Sequence, residues 1–175
     1  MRDKIDLLPK VVEFHENCES LDHELRDTIN SLSVNIIDHT KDMFNVFFQQ
    51  NLIDHFNIEE MVIFPAVKAW AQNDTYDKLI NDYLIEHKKL ITEGKNILDT
   101  LTSNDIAFSK DDLLAMVREF ADLNYRICAH SRHEDIHIVP LLKENTTIRF
   151  ICGRRMLEYQ NLVLKNTAYQ NPLQP

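Results

Sequence analysis

His55-Phe56-Asn57-Ile58-Glu59-Glu60-Met61-Val62-Ile63-Phe64-Pro65 has a counterpart in His130-Ser131-Arg132-His133-Glu134-Asp135-Ile136-His137-Ile138-Val139-Pro140. Each segment holds a His, a Glu four residues on, a second acid beside that Glu, and a Pro ten residues after the His. On a helix, positions i and i+4 share a face about one turn apart. Each segment therefore offers an imidazole and a carboxylate pointing the same way. One such pair alone reads most simply as an exposed surface pair. A second copy and the phase of the neighbouring apolar residues change that reading. His55 and Glu59 share a stripe with Phe44, Phe48, Leu52 and Val62, and His130 and Glu134 share one with Leu123, Ile127, His137 and Leu141. Both pairs thus face a core. A buried carboxylate without a cationic partner costs several kcal/mol, so two helices clamping a pair of metal ions are expected, with carboxylates able to bridge and imidazoles to fill terminal positions.

The rest of the chain suits that arrangement. Its 175 residues are enough for one domain with a real core. Two glycines leave little room for a glycine-rich phosphate loop. A net charge of −9 argues against a nucleic-acid surface, which needs clustered Lys and Arg. No apolar run approaches the ~18–20 residues of a membrane span, and Met1 to Asp6 carries acids without the apolar core of a signal peptide. Cys18, Cys128 and Cys152 are odd in number and lack Cys-x-x-Cys spacing, so reduced, inert thiols in a cytoplasmic protein are expected.

Apolar residues recur at helical spacing nearly throughout. The spacing predicts a first helix from about Asp6 to the low thirties and a second from about Thr40 to Trp70, bent near Pro65. A third runs from about Tyr76 to Leu101 after a turn and N-cap at Asn73-Asp74-Thr75. A fourth follows a Ser109 to Asp112 capping box and reaches about Glu144, with Pro140 near its end. A shorter fifth, about Thr147 to Asn166, precedes a polar tail ending in Pro175. The predicted fold is all-α: an antiparallel up-down four-helix bundle over residues 1–145, with a C-terminal helix and tail, 146–175, packed on the same domain.

Two more His should come from helices one and three. His87 is the only His on the third, on a stripe with Ile80, Tyr83, Leu84, Ile91, Gly94 and Leu98. The first offers His15 and His23 beside a stripe of Val11, Phe14, Cys18, Leu21, Leu25, Ile29 and Leu32. At ~100° per residue His15 lies at the edge of that stripe and His23 roughly 140° away. His15 precedes His55 by 40 residues and His87 precedes His130 by 43, whereas His23 gives 32. Each half of the chain then reads as a helix hairpin with matching ligands. The candidate set is His15, His55, Glu59, His87, His130 and Glu134, with His23 as the fallback on the first helix. Mixed imidazole and carboxylate donors suit iron, manganese or zinc. His137 is open between a core histidine, a partner behind the ligands and a further ligand, while Tyr83 and Tyr125 read as core aromatics with partnered hydroxyls. His39 reads as solvated near a turn.

The pattern resembles a hemerythrin-like (HHE cation-binding) domain: His, then His-x-x-x-Glu, then His, then His-x-x-x-Glu on four bundle helices. The continuations Glu59-Glu60 to Phe64-Pro65 and Glu134-Asp135 to Val139-Pro140 are typical of that family, and the resemblance covers about residues 5 to 145. It implies a non-haem centre of two iron ions, both glutamates bridging, that meets O2, NO or peroxide. Oxygen-carrying members have a His-x-x-x-His on the third helix; here Tyr83 and Ile91 stand four residues either side of His87. The four-His, two-Glu set is similar instead to that of iron-sulfur cluster repair proteins and several sensor domains, although the Cys-Cys pair of the repair proteins has no counterpart. The resemblance implies a cytoplasmic protein that binds, senses or reduces a small oxidant or diatomic ligand, with a redox partner the sequence does not identify and self-association open. Turnover as an enzyme is left open. The alternatives are an iron store or donor for iron-centre repair, and a metal-stabilised interaction module docking through the fifth helix.

Overall fold

The computed structural model describes residues 7–31, 42–102 and 109–170, which are helical apart from short connections. The starts expected at Asp6 and Thr40, His39 and the end of the tail at Pro175 lie outside the described residues. Helix α1 spans Leu8–Ser31, with Pro9 in the first turn, where its missing N–H costs nothing. Helix α2 covers residues 42–71. It ends on Gln72, whose left-handed backbone (φ 47°) lets its N–H close on Lys68. The Asn73 side chain then accepts from Tyr76 N–H and starts α3, Asp74–Thr102. Helix α4, Lys110–His137, opens with the expected capping box: Asp112 N–H donates to Ser109 Oγ, and Ser109 N–H to the Asp112 carboxylate. A short α5, Val139–Glu144, and the C-terminal α6, Thr146–Gln170, complete the described chain.

The two prolines act differently on their helices. A proline ring crowds the carbonyl four residues back and cannot donate to it. Near Pro65 the helix stays continuous by widening: over Glu59–Ile63 the turns are of π type, with Phe64 N–H bonding to the Glu59 carbonyl five residues back. Near Pro140 the helix breaks instead. Ile138 adopts φ −106°, α4 stops at His137, and α5 restarts with Pro140 in its first turn. The fourth helix therefore does not run unbroken to Glu144.

Burial divides the core into two apolar clusters with a polar layer between them. One holds Phe14, Leu21 and Leu25 from α1, Phe44 to Phe56 from α2, Leu90 to Leu101 from α3 and Met116 to Cys128 from α4. The other holds Leu7 and Val11, Ile58 to Val67, Ile80 and Tyr83, and Ile138 to Leu142. Along α1 and α3 the second cluster comes first; along α2 and α4 the first does. That alternation is the up-down-up-down order of an antiparallel bundle. The face of α3 is rotated slightly from the expected stripe, with Leu90, Ile97 and Leu101 buried and Leu84, Ile91 and Leu98 half-buried. Gly94 is required where α3 meets α2: a Cβ there would lie 2.0 Å from the Phe48 ring. Helix α6 packs Ile148, Cys152 and Met156 into the second cluster, against residues 59–71 and α5. No described helix is long and apolar enough to cross a membrane.

Candidate metal centre

The polar layer between the clusters is made of the expected residues. His15, His55, Glu59, His87, His130 and Glu134 are all buried, none more than 5% exposed. Each comes from the one stretch of its helix where the apolar run changes cluster. Their ligand atoms form two groups, His15–His55–Glu59–Glu134 and Glu59–His87–His130–Glu134, with the atoms of each group within 4.8 Å of one another. Each hairpin thus supplies the imidazole pair of one group, and the two glutamates belong to both. His23 is exposed on the outer face of α1, which leaves His15 as the inward histidine of that helix.

The metal-free layer is short of partners. Among the buried atoms that make no hydrogen bond are His15 Nε2, His55 Nε2, Glu59 Oε2 and both Glu134 oxygens. His55 Nε2 sits 3.0 Å from Glu59 Oε1, His130 Nε2 3.3 Å from Glu134 Oε1, and His87 Nε2 3.5 Å from Glu59 Oε2. Orphaned buried acceptors are costly unless something satisfies them. Five such atoms facing one layer, all from metal-ligating groups, fit a pair of cations.

The other ring nitrogens are held from behind. His15 Nδ1–H donates to Asp135 at 2.8 Å, His87 Nδ1–H to Glu60 at 2.9 Å, and His130 Nδ1–H to Glu86 at 2.9 Å. An ionised carboxylate only accepts, so these bonds place the proton on Nδ1 and turn the Nε2 lone pair inward, as a metal ligand requires. His55 has no such carboxylate among the described residues; its ring stacks on Phe14 with centroids 3.9 Å apart. His87 is likewise stacked on Phe56 at 3.7 Å.

Electrostatics divide the layer further. Burial pushes the Glu59 carboxyl well above the usual carboxylate range, and the neighbouring Glu134 charge adds to this. Glu134 goes the other way: burial opposes ionisation, but the facing His130 and His15 imidazoles, 3.3 and 3.6 Å away, outweigh it and hold its carboxyl well down. Burial also opposes charge on His130, yet the Glu134 carboxylate raises its pKa to about 9. His15 is raised by Glu134 and Asp135, again against burial. His55 and His87 are pushed down to about 3, chiefly by burial. His130 Nε2–H accordingly donates to His87 Nε2 at 2.8 Å. In the metal-free layer charge is therefore favoured on Glu134, His130 and His15 and disfavoured on Glu59, His55 and His87. Cations entering it displace those protons.

A family model described as the hemerythrin HHE cation-binding domain matches residues 6–142. The chain belongs to this hemerythrin family. No curated protein and no solved structure matches it. Cation binding is therefore the basic property of this hemerythrin domain, and the buried His/Glu layer is where its described residues are able to provide it.

Three sequence readings need correction. His137 is exposed, because α4 ends there and the break at Ile138 releases it from the inward face; it pairs with exposed His133, ring centroids 4.5 Å apart, and lies outside the layer. Tyr125 is 55% exposed on the outer face of α4, not a core aromatic. Tyr83 is buried beside His130, but its hydroxyl has no partner. Sequence reasoning also left the orienting carboxylates unassigned. Glu60 and Asp135 were visible as the second acid of each segment. Glu86 was signalled only by its place beside His87, and its reach to a different helix has no sequence signature.

Proposed function

We propose that this hemerythrin domain holds two iron ions, one on His15 and His55, the other on His87 and His130, bridged by Glu59 and Glu134. The observation that carries the reading is the pair of buried glutamates, with unpartnered oxygens, shared by two imidazole pairs. Four protein groups per ion leave positions for a small ligand, and iron so held supplies redox chemistry toward O2, NO or peroxide. The chain's own part is to present neutral Nε2 atoms through Asp135, Glu60 and Glu86, and to keep bulk water out with the apolar clusters on either side. Its proposed role is to bind, sense or reduce such an oxidant. Manganese or zinc fit the same donors. We further propose that residues 1–145 and the helix and tail of 146–175 act as one domain, and that the protein works in the cytoplasm, where a reducing medium suits three free cysteines.

Metal analysis of protein purified from iron-supplied cells tests the reading, with a visible spectrum before and after reduction and exposure to air or NO. About two irons per chain, with absorption that responds to the gas, is the expected result. Stoichiometric zinc, or a colourless protein without iron, overturns it.

A further inference from the structure

Two of the three cysteines meet beside the layer. Cys18 lies on α1, three residues past His15, and Cys128 on α4, two before His130; both are buried, at 0% and 3% exposure. The two lie in one core cluster, and each shifts the other's acidity. One amide nitrogen ties the pair together: Asn124 Nδ2 donates to the Cys18 carbonyl at 3.0 Å and lies 3.7 Å from Cys128 Sγ. Cys128 also lines a cavity of about 260 Å³ between α1 and α4, with His15, Ser131, Arg132 and Asp135. That cavity is larger than a few waters need, and the Ser131 hydroxyl beside it is buried without a partner. Apolar packing alone explains one buried cysteine. It does not explain two cysteines tied to one amide, from segments 110 residues apart, with one of them at the wall of a cavity that reaches His15.

We propose that Cys18 and Cys128 are a peroxide-reducing dithiol beside the metal centre, closing to a disulfide that joins α1 to α4. The Cys128 sulfur, which faces the cavity, attacks one peroxide oxygen; the O–O bond breaks, water leaves, and a sulfenic acid remains. The Cys18 sulfur then attacks the Cys128 sulfur, the S–O bond breaks, a second water leaves, and the S–S bond forms. Two thiols lose two electrons and two protons, and one peroxide becomes two waters. The disulfide covalently links the helix of His15 to that of His130 and Glu134. Peroxide as the oxidant rests on the proposed function; the dithiol itself does not.

The test uses the full chain stripped of metal, treated with a small excess of hydrogen peroxide, then denatured, alkylated and peptide-mapped. Free thiols are expected to fall from three to one, with a peptide linking Cys18 to Cys128 that dithiothreitol releases. Cys18→Ser, checked for folding by circular dichroism, should stop at a sulfenic acid on Cys128 that dimedone traps, and Cys128→Ser should leave Cys18 reduced. Three persisting thiols, a sulfinic acid without a linked peptide, or a link through Cys152 overturns the proposal. Because the metal-free chain is used, a linked peptide in a protein that binds no iron removes the metal reading and keeps the dithiol. Iron binding without the link does the reverse.

Discussion

The segments from His55 to Pro65 and from His130 to Pro140 carry the same residues in the same order but solve different problems. In both, the first acid enters the buried layer and the second reaches a histidine on an adjacent helix: Glu60 holds His87, and Asp135 holds His15. In the first, the helix absorbs its proline by widening at Glu59; in the second, it breaks one turn past Glu134. The charge differs as well. In the metal-free pair ionisation is favoured on Glu134, which faces two raised imidazoles, and disfavoured on Glu59. A repeated motif thus gives a symmetric set of candidate ligands with an asymmetric distribution of charge.

The largest expected effect separates the two glutamates without metal. Glu134→Gln removes the counter-charge of His15 and His130 and should cost about 3–5 kcal/mol of metal-free stability in urea unfolding. Glu59→Gln replaces a group whose charge burial already disfavours and should stay within about 1 kcal/mol of wild type. Equal losses would break the asymmetry. The same unfolding measured against pH sharpens it. His130, raised to about 9, contributes stability that is full below pH 6.5 and is lost as pH rises through 9. His55 and His87 stay neutral in the fold down to about 3, so the unfolded chain takes up protons first and stability falls as pH drops from 6.5 toward 3. A maximum near pH 6.5 is expected, and Glu134→Gln should flatten its alkaline side.

Smaller effects separate the two halves of the loaded site. Glu60→Gln should weaken the ion on His87 and His130 by about 10–100-fold, and Asp135→Asn the ion on His15 and His55 by a similar factor. Metal titration read by calorimetry should then show one weakened site in each variant. Both sites weakening together in either variant would mean that these carboxylates do not act hairpin by hairpin. The smallest effect belongs to the break after α4. Pro140 stands where a helix start has no use for its N–H, so Pro140→Ala should change stability by less than about 1 kcal/mol. A larger loss would give this proline a part in holding Glu134.

The bundle was legible because its signals are local: periodicity set the helices, the capping box at Ser109 marked a start, and the phase of His55 and His130 turned both pairs inward. The six inward residues were legible because the motif repeats. Contacts between helices were not. Glu86 reaching His130, Asn124 tying Cys18 to Cys128 and Gly94 admitting the Phe48 ring depend on which helix faces join, which spacing along one helix does not encode. His137 was misplaced for a related reason. It sits in phase with His130 on an ideal helix, and the break before Pro140 ends that helix at His137 itself.

In the proposed centre two ions share Glu59 and Glu134 while each takes its imidazoles from one hairpin. Anomalous-difference density from crystals of the iron-loaded protein tests this most directly. Two peaks are expected in the buried layer, one contacting His15 and His55, the other His87 and His130, and both contacting the two glutamates. A single peak, or density at the exposed His133 and His137 with the layer empty, would contradict it.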